Sequence, residues 1–545
     1  MGTRPSRRRY LAAIGAAALG GGLAGCQFVP GPTPTPPPTP PETPTAEPPN
    51  LLRHGIQFIR SVDLVADFGA DPTGSEPIDD LLAMAATAGT LVVLPAGRYL
   101  LNETYNFEAN TVGLLGIGDV RIVPSVGFHD LVFDTNEVDV DEILLENVDI
   151  DITHPQTSAG IRLLTRTKFH VQDLEYVGRG LTEFREQASA FLLAITDPDG
   201  LGTLRRVVAK EGARIDGYLN GNGRIAVWAG WEHKGTIRIE KCDFREFGNN
   251  ACYTSRTPGK VQIVDSYFLN NNASSIRLGG KGSFAENCTV EIDLEKYTGP
   301  PLENISTGFN TRAIVVETGV QLDVPGIEPG AEIRNCRVIA RNSPKSQSLV
   351  ELSPQGQTMV LKDSVIVCDI DDTPAIRRAR PGELPWRPSQ QVPPKPHWIT
   401  VENVTILGSA SGGEAIRIEE GPESVFRNCR IEQSGAGRDG IRLVDSTDCL
   451  VDGGSITTAR HPIRVEYGGL ADDRCLLKLG SAPTLSSVET ADAPLLYEHT
   501  TDTPTPCIVT AAQPFVNGLD RSVINIDDIS DESPIRLYGN VLFEA

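Results

Sequence analysis

The 545-residue sequence has no uninterrupted apolar run of the ~20 residues that a membrane-spanning helix requires. Its one apolar stretch, Leu11 to Gly25, is short and made largely of glycine and alanine. Positive balance is also missing. Asp and Glu number 71 against 49 Lys and Arg, a formal charge of −22, so the chain repels nucleic acid and anionic lipid. The ten cysteines contain no CxxC pair and lack the dense spacing of a stapled mini-domain, which argues against a zinc ribbon and a disulfide scaffold. Long helical periodicity is absent as well, which argues against a helical solenoid.

The ends are informative. Ser6 to Leu11 reads SRRRYL, and Arg7 and Arg8 precede the apolar stretch that runs to Cys26. This resembles a twin-arginine export signal, and Leu23, Ala24, Gly25 and Cys26 resemble a lipoprotein box. The resemblance implies that residues 1–26 are a signal and that the Cys26 thiol is lipidated. The expected location is the outer face of the cell membrane, touched through the lipid anchor only, or the extracellular space. Residues 27–50 are a Pro/Thr-rich linker, extended and solvated, that lifts the rest of the chain off the membrane. Loss of Arg4, Arg7, Arg8 and Arg9 with the signal takes the charge from −22 to about −26. Abundant carboxylates with scarce lysine resemble the proteins of high-salt organisms of haloarchaeal type, where screening removes self-repulsion.

What the body has is a repeat of about 25 residues. AIRIEEGPESVFRNCRIEQS from Ala415 aligns with GIRLVDSTDCLVDGGSITTA from Gly440, and PIRVEY from Pro462 opens the next copy. Looser copies begin at Ala226, Ala251 and Ser275. Strands of four to six residues alternate apolar and polar side chains between Asn, Asp and Gly turns. About three short strands per period suit one coil of a parallel β-helix, stacked on the next at ~4.8 Å. In IRL or IRI the apolar residues then face inward and the arginine outward.

The closing half of the repeat supplies two columns. Asn147, Asn287, Asn335, Asn403 and Asn428, with Asp173, Asp265 and Asp363, share a turn position where the side chain can bond the backbone of the neighbouring coil. The next position holds Cys242, Cys288, Cys336 and Cys429, with Ser266 and Ser364 as small substitutes. A stacked column presents thiols along a line, unlike tetrahedral zinc, so these read as buried structural thiols.

Residues 67–101, DFGADPTGSEPIDDLLAMAATAGTLVVLPAGRYLL, carry a DFGA turn, a loop, a short amphipathic helix over Ile78 to Ala88 and a strand ending P-x-G-x-Y. Through Asp67, Phe68, Gly69, Ala70, Gly74, Asp79, Pro95, Gly97 and Tyr99 this resembles the opening of pectin-lyase-like domains and phage tailspikes. The resemblance implies an all-β fold, a right-handed parallel β-helix with a short N-terminal capping helix. Residues 51–110 form the cap and first coil, 111–480 the β-helix, and 481–545, where the period fades, a C-terminal cap. A fold of this kind does not fix an activity.

In the resembled enzymes a sugar polymer lies along the outside of one sheet. The outward column here reads Trp228, Tyr253, Arg277, Val315, Glu351, Arg417, Arg442 and Arg464. Aromatic rings suit stacking on sugars, and guanidinium groups suit uronate or sulfate. Arginines ~5 Å apart repel by nearly 1 kcal/mol even in water, and Glu419 and Glu466, two residues after Arg417 and Arg464, can supply counter-charges. Trp228, Trp231, Glu232, His233, Tyr253, Arg256, Arg277 and Lys281 gather on three adjacent coils. Arg256, Arg277, Lys281 or His233 is the candidate base of a lyase, and Glu232 the candidate general acid. Trp228, Trp231, Tyr253, Arg417, Arg442 and Arg464 are the candidate substrate-binding residues.

Polygalacturonase-like signatures, NTD and GHG, are absent. Asp369 to Asp372 offers the hard oxygens calcium prefers, without a recognisable spacing, and otherwise suits a loop salt-bridge network. Ser411 to Gly421 resembles the N-G-x-E-x-I-R-x-G stretch of alginate-lyase and chondroitinase-like β-helices, which implies Glu414 as a calcium ligand. Ser411 departs from the Asn, and Glu419 stands in place of the last Gly. The loops Glu295 to Asn310 and Asp369 to His397 are expected to overhang one face, and Asn304 in NIS is a glycosylation acceptor. Two functions remain open: a surface-anchored protein that binds extracellular or cell-wall polysaccharide, and a polysaccharide lyase or glycoside hydrolase acting on an acidic glycan.

Overall fold

Short alternating strands close into stacked coils. The computed structural model describes residues 50–545 apart from 136–139, 182–188, 219–222, 318–326, 345, 383–391, 469–474, 482, 489–494, 500–506, 512–535 and 540–545. The signal-like segment with Cys26, and all of the linker but residue 50, lie outside the described residues. Each coil brings three strands, and each strand pairs in parallel with its counterpart one coil further on. The result is the parallel β-helix expected from the period.

Three sheets run along it. Ile225–Trp228, Cys252–Thr254 and Ile276–Leu278 stack in the first. Thr236–Glu240, Lys260–Val264 and Phe284–Glu286 stack in the second. Asp243–Arg245, Tyr267–Leu269 and Thr289–Asp293 stack in the third. Alternation sends Ile237, Ile239, Val261, Ile263, Ile276 and Leu278 inward, where all are fully buried. They join one continuous apolar core that runs from Leu64 to Leu495.

The turn between the second and third sheets explains the Asn/Asp column. Asn147, Asp173, Asp265, Asn287, Asn335, Asp363, Asn403 and Asn428 all have φ between 49° and 59°. This left-handed region favours Asn and Asp among residues with a side chain. Within the column some bonds run from side chain to side chain. The Asn287 amide donates to Asp265 Oδ1 at 3.1 Å, and Asn403 donates to Asp363 Oδ1 at 2.9 Å. Asn147 instead bonds the carbonyls of Gly116 and Gly118. One residue on, Cys242, Cys288, Cys336 and Cys429 are buried and free.

The opening segment carries a helix at Asp79–Ala85, shorter than the expected Ile78 to Ala88. It turns Leu82 and Ala85 into the core. Four residues past Ala85, Gly89 takes a φ of +72° and leads into the strand Thr90–Leu101. That strand shifts register between Pro95 and Gly97. A Cβ at Gly97 would lie 2.7 Å from the Pro72 carbonyl oxygen, and the Tyr99 hydroxyl donates to the Pro95 carbonyl at 2.7 Å. These contacts account for P-x-G-x-Y.

Two features lie outside the repeat as read from sequence. Leu52–Arg53 and Ile56–Gln57 form an antiparallel hairpin, and Ile56 and Phe58 cover Leu91, Leu115 and Leu144. Coils also continue beyond residue 480, since Ile463–Tyr467 pairs with Leu495–His499 and Cys475–Leu479 with Cys507–Ala511.

Candidate functional site

The first sheet orders the outward column by direct pairing: Trp228, Tyr253, Arg277, Val315, Glu351, Arg377, Arg417, Arg442 and Arg464. Arg377 was absent from the sequence reading because the long segment after it hides the period. Side chains on the outside of a solenoid are ordinarily wet, yet Tyr253, Val315 and Glu351 are only 9%, 0% and 2% exposed. They are covered by other parts of the chain rather than lying on an open face.

The segment between the third and first sheets of the next coil is pinned by buried carboxylates. Asp216 accepts the backbone N–H groups of Glu303 and Asn304 at 2.6 and 2.8 Å. Glu246 accepts the Thr298 N–H at 2.8 Å, and the Asn272 amide bridges the carbonyls of Ile215 and Gly308. The expected Glu295 to Asn310 loop is therefore tied down onto the preceding coils, with Asn304 exposed at the start of the short helix Ile305–Gly308.

Within the column, Trp228 and Tyr253 meet edge to face with centroids 4.7 Å apart. The guanidinium carbons of Arg277 and Arg256 lie 4.6 and 5.1 Å from the Tyr253 ring centroid. Arg277 Nε donates to Glu317 Oε2 at 2.7 Å, and Ser255 Oγ donates to the same oxygen at 2.9 Å. Burial alone would favour neutral Arg277, but the adjacent Glu317 charge outweighs it and raises the guanidinium pKa. Burial likewise opposes ionised Glu317, yet Arg277 and Arg256 hold its pKa below the ordinary value. Burial also pushes the Tyr253 phenol upward. A permanently cationic Arg277 suits binding and charge stabilisation better than proton abstraction.

The sequence-predicted residues divide. Trp228, Tyr253, Arg256 and Arg277 come together. Trp231, 60% exposed, and exposed Glu232 stand at the rim. A Cβ on Gly230 would lie 3.0 Å from both Glu232 Oε2 and Trp228 Nε1. His233 departs from the expectation of a base. It is fully buried, its Nδ1 accepts from the Ile195 N–H, and its Nε2 lies 3.1 Å from the Lys260 carbonyl, to which it donates. Burial lowers its pKa, so it is a neutral strut. Lys281 is 70% exposed and pairs with Glu328 at 2.7 Å.

Glu317 was missed, although the alternation marks it. It follows the outward Val315 by two residues, as Glu419 follows Arg417 and Glu466 follows Arg464. Those two glutamates do act as counter-charges. Glu419 binds Arg377 and Arg417, and Glu466 binds Arg442 and Arg464. Arg464 also meets Asp439. Glu414 stands between Arg417 and Arg442 at 3.3 and 3.2 Å. Two guanidinium partners make that carboxylate a poor calcium ligand, which departs from the role the resemblance implied. Among the described residues no three His, Cys, Asp or Glu side chains converge for a metal. Asp369 and Asp371 mainly hold backbone N–H groups of Ser409 and Ser411, with one ion pair from Asp369 to Arg341.

The chain is a parallel β-helix protein. No protein-family model matches its sequence, and no curated protein sequence does. Solved structures resemble it at low identity. The catalytic unit of a GH87 α-1,3-glucanase from Streptomyces thermodiastaticus has a TM-score of 0.38 and 13% identity over 83% of this chain and 68% of that one. The Streptococcus pneumoniae surface protein and adhesin PfbA has a TM-score of 0.40 and 13% identity over 78% and 99%. The A-module of the Azotobacter vinelandii mannuronan C-5 epimerase AlgE6 has a TM-score of 0.30 and 12% identity over 89% and 99%.

Proposed function

We propose that this protein binds extracellular or cell-wall polysaccharide through the cluster of Trp228, Tyr253 and Arg277, while held at the cell surface by lipidated Cys26 and the 27–50 linker. The observation that carries the reading is the in-register stack of an indole, a phenol and a guanidinium on adjacent coils, with Trp231 exposed beside them. Aromatic faces stack on the C–H faces of sugars, and the guanidinium fork takes their oxygens. Trp231 is exposed, so Trp231→Ala is expected to leave the thermal melt unchanged and to weaken glycan binding roughly tenfold, the scale of one aromatic contact. Titration calorimetry over a glycan panel checks this, and unchanged affinity would remove Trp231 from the site. For the tether, Cys26→Ala is expected to move the protein from the membrane fraction to the medium.

A second reading, a lyase or hydrolase on an acidic glycan, is favoured by one feature: a buried ionised carboxylate, Glu317, beside Arg277. The cationic hold on Arg277 and the buried, doubly bonded His233 count against two of the candidate bases. Rising ultraviolet absorbance or new reducing ends from any glycan that binds would establish turnover, and their absence across the panel would sink the enzyme reading.

A further inference from the structure

Asn304 opens one of five Asn-x-Ser/Thr sequences in the chain, the others starting at Asn102, Asn272, Asn287 and Asn403. We propose that the folded protein carries N-linked glycans on Asn102 and Asn304 and on none of the other three. The inference rests on the cell-surface half of the reading above, since the sugar must be transferred outside the membrane to a protein that has reached it.

The fold divides the five by what each side-chain amide already does. Asn272 is buried. Its amide bonds the carbonyls of Ile215 and Gly308, and its Oδ1 accepts the N–H groups of Ala273 and Asn310 at 2.7 and 3.0 Å. Asn287 and Asn403 are exposed, but they hold left-handed turns of the Asn/Asp column, and their amides donate to Asp265 and Asp363. Coils there are stacked at ~4.8 Å. A sugar on a nitrogen bonded across that gap crowds the stacked carboxylate and takes one of the two protons the amide can donate.

Asn102 and Asn304 are exposed, and among the described residues no hydrogen bond engages either side chain. In both places a carboxylate holds the backbone instead. Asp79 Oδ1 accepts the N–H groups of Asn102 and Glu103 at 3.1 and 2.7 Å, as Asp216 accepts those of Glu303 and Asn304. The turn therefore keeps its bonds when the side chain is modified. The hydroxyls two residues on, Thr104 and Ser306, are likewise unbonded among the described residues. Both acceptors lie in segments that lead into first-sheet strands. Asn102 stands between Thr90–Leu101 and Tyr105–Asn106, and Asn304 between Thr289–Asp293 and Ile314–Val316. In the transfer the amide nitrogen attacks C1 of a sugar carried on a polyprenyl phosphate. A C–N bond forms, the C–O bond to phosphate breaks, the phosphate leaves with the electron pair, and the amide proton passes to a base of the transferase.

The test takes the full chain from the membrane fraction of the cells that make it naturally and maps intact glycopeptides by mass spectrometry. Peptides with Asn102 and Asn304 are expected to carry added sugar mass, and those with Asn272, Asn287 and Asn403 to have their unmodified masses. Asn102→Gln and Asn304→Gln should each remove one glycan and leave the circular dichroism unchanged. Ser306→Ala should remove the glycan at Asn304 while keeping the asparagine, which ties the loss to the acceptor sequence rather than to the turn. An unmodified peptide at Asn102 or Asn304 in membrane-bound protein, or a glycan on any of the other three, would overturn the proposal and leave the cell-surface reading intact. Unmodified protein found only in the cytosol would overturn both.

Discussion

Asn403 holds a φ of 54° while its amide donates to Asp363 one coil away, so a single side chain serves the turn and the stack together. Alanine there must adopt the left-handed conformation without the amide. Asn403→Ala is expected to lower stability by about 1–2 kcal/mol. Asn403→Gly, which keeps the turn and loses only an exposed hydrogen bond, should lose about half as much, and denaturant melts distinguish the two. The neighbouring cysteine column makes a chemical prediction. Burial pushes the Cys242 and Cys429 thiols up to about 12. Neither should be alkylated in the native protein at pH 8, and both should react once it unfolds, as peptide mass spectrometry would show. The αL turn explains why Asn and Asp were legible as a column. The side-chain-to-side-chain bonding was not legible, because it depends on which residues the coils bring face to face.

Among elements, the hairpin Leu52–Gln57 has no counterpart in the repeat. Arg53 makes a two-pronged pair with Glu146 at 2.8 and 2.7 Å, and Lys168 bonds the Gly55 carbonyl. The His54 and His170 rings stack with centroids 3.9 Å apart. Burial, then the nearby His54, lowers the His170 pKa from 6.5 to about 4. Gln172 and Glu146 act in the other direction on His170, and Arg205 lowers it further. Because the docked pKa lies below the free one, the undocked state takes up the proton first. Docking is strongest above pH 6.5 and weakens as pH falls towards about 4, by at most ~3 kcal/mol. Glu146 also has a lowered pKa, held down against its burial by Arg53, so its contribution is lost at still lower pH. Limited proteolysis should cut near residues 50–58 faster at pH 4.5 than at pH 7, and His170→Gln should flatten that difference. A pH-independent cutting rate in the unaltered protein would contradict the assignment.

Over the whole molecule, each coil touches mainly the coils before and after it, so stability is close to a sum of coil and interface contributions. Phe244 is fully buried, with the Phe268 ring 6.1 Å and the Phe247 ring 6.3 Å away. Phe244→Ala should cost about 3–5 kcal/mol. Hydrogen exchange should rise first in the coils around residues 204–290 and leave those around 414–467 protected. Uniform loss of protection would mean that the solenoid unfolds as one unit.

The sequence by itself determined the coil, its inward and outward faces and the Asn and Cys columns, because each follows from a strand period of two and a repeat of about 25 residues. It also marked Trp228, Tyr253, Arg256 and Arg277 as neighbours, since stacked coils bring equivalent positions together. Only the tertiary structure decided which outward residues are covered, because coverage depends on segments outside the period, such as the one pinned by Asp216, Glu246 and Asn272. His233 sits one step from an exposed rim yet is buried under the Ile195 N–H and the Lys260 carbonyl, and Glu317 is buried against Arg277. Periodicity specifies which face a side chain points from, whereas burial and ion pairing depend on distances between loops of unequal length that no period encodes.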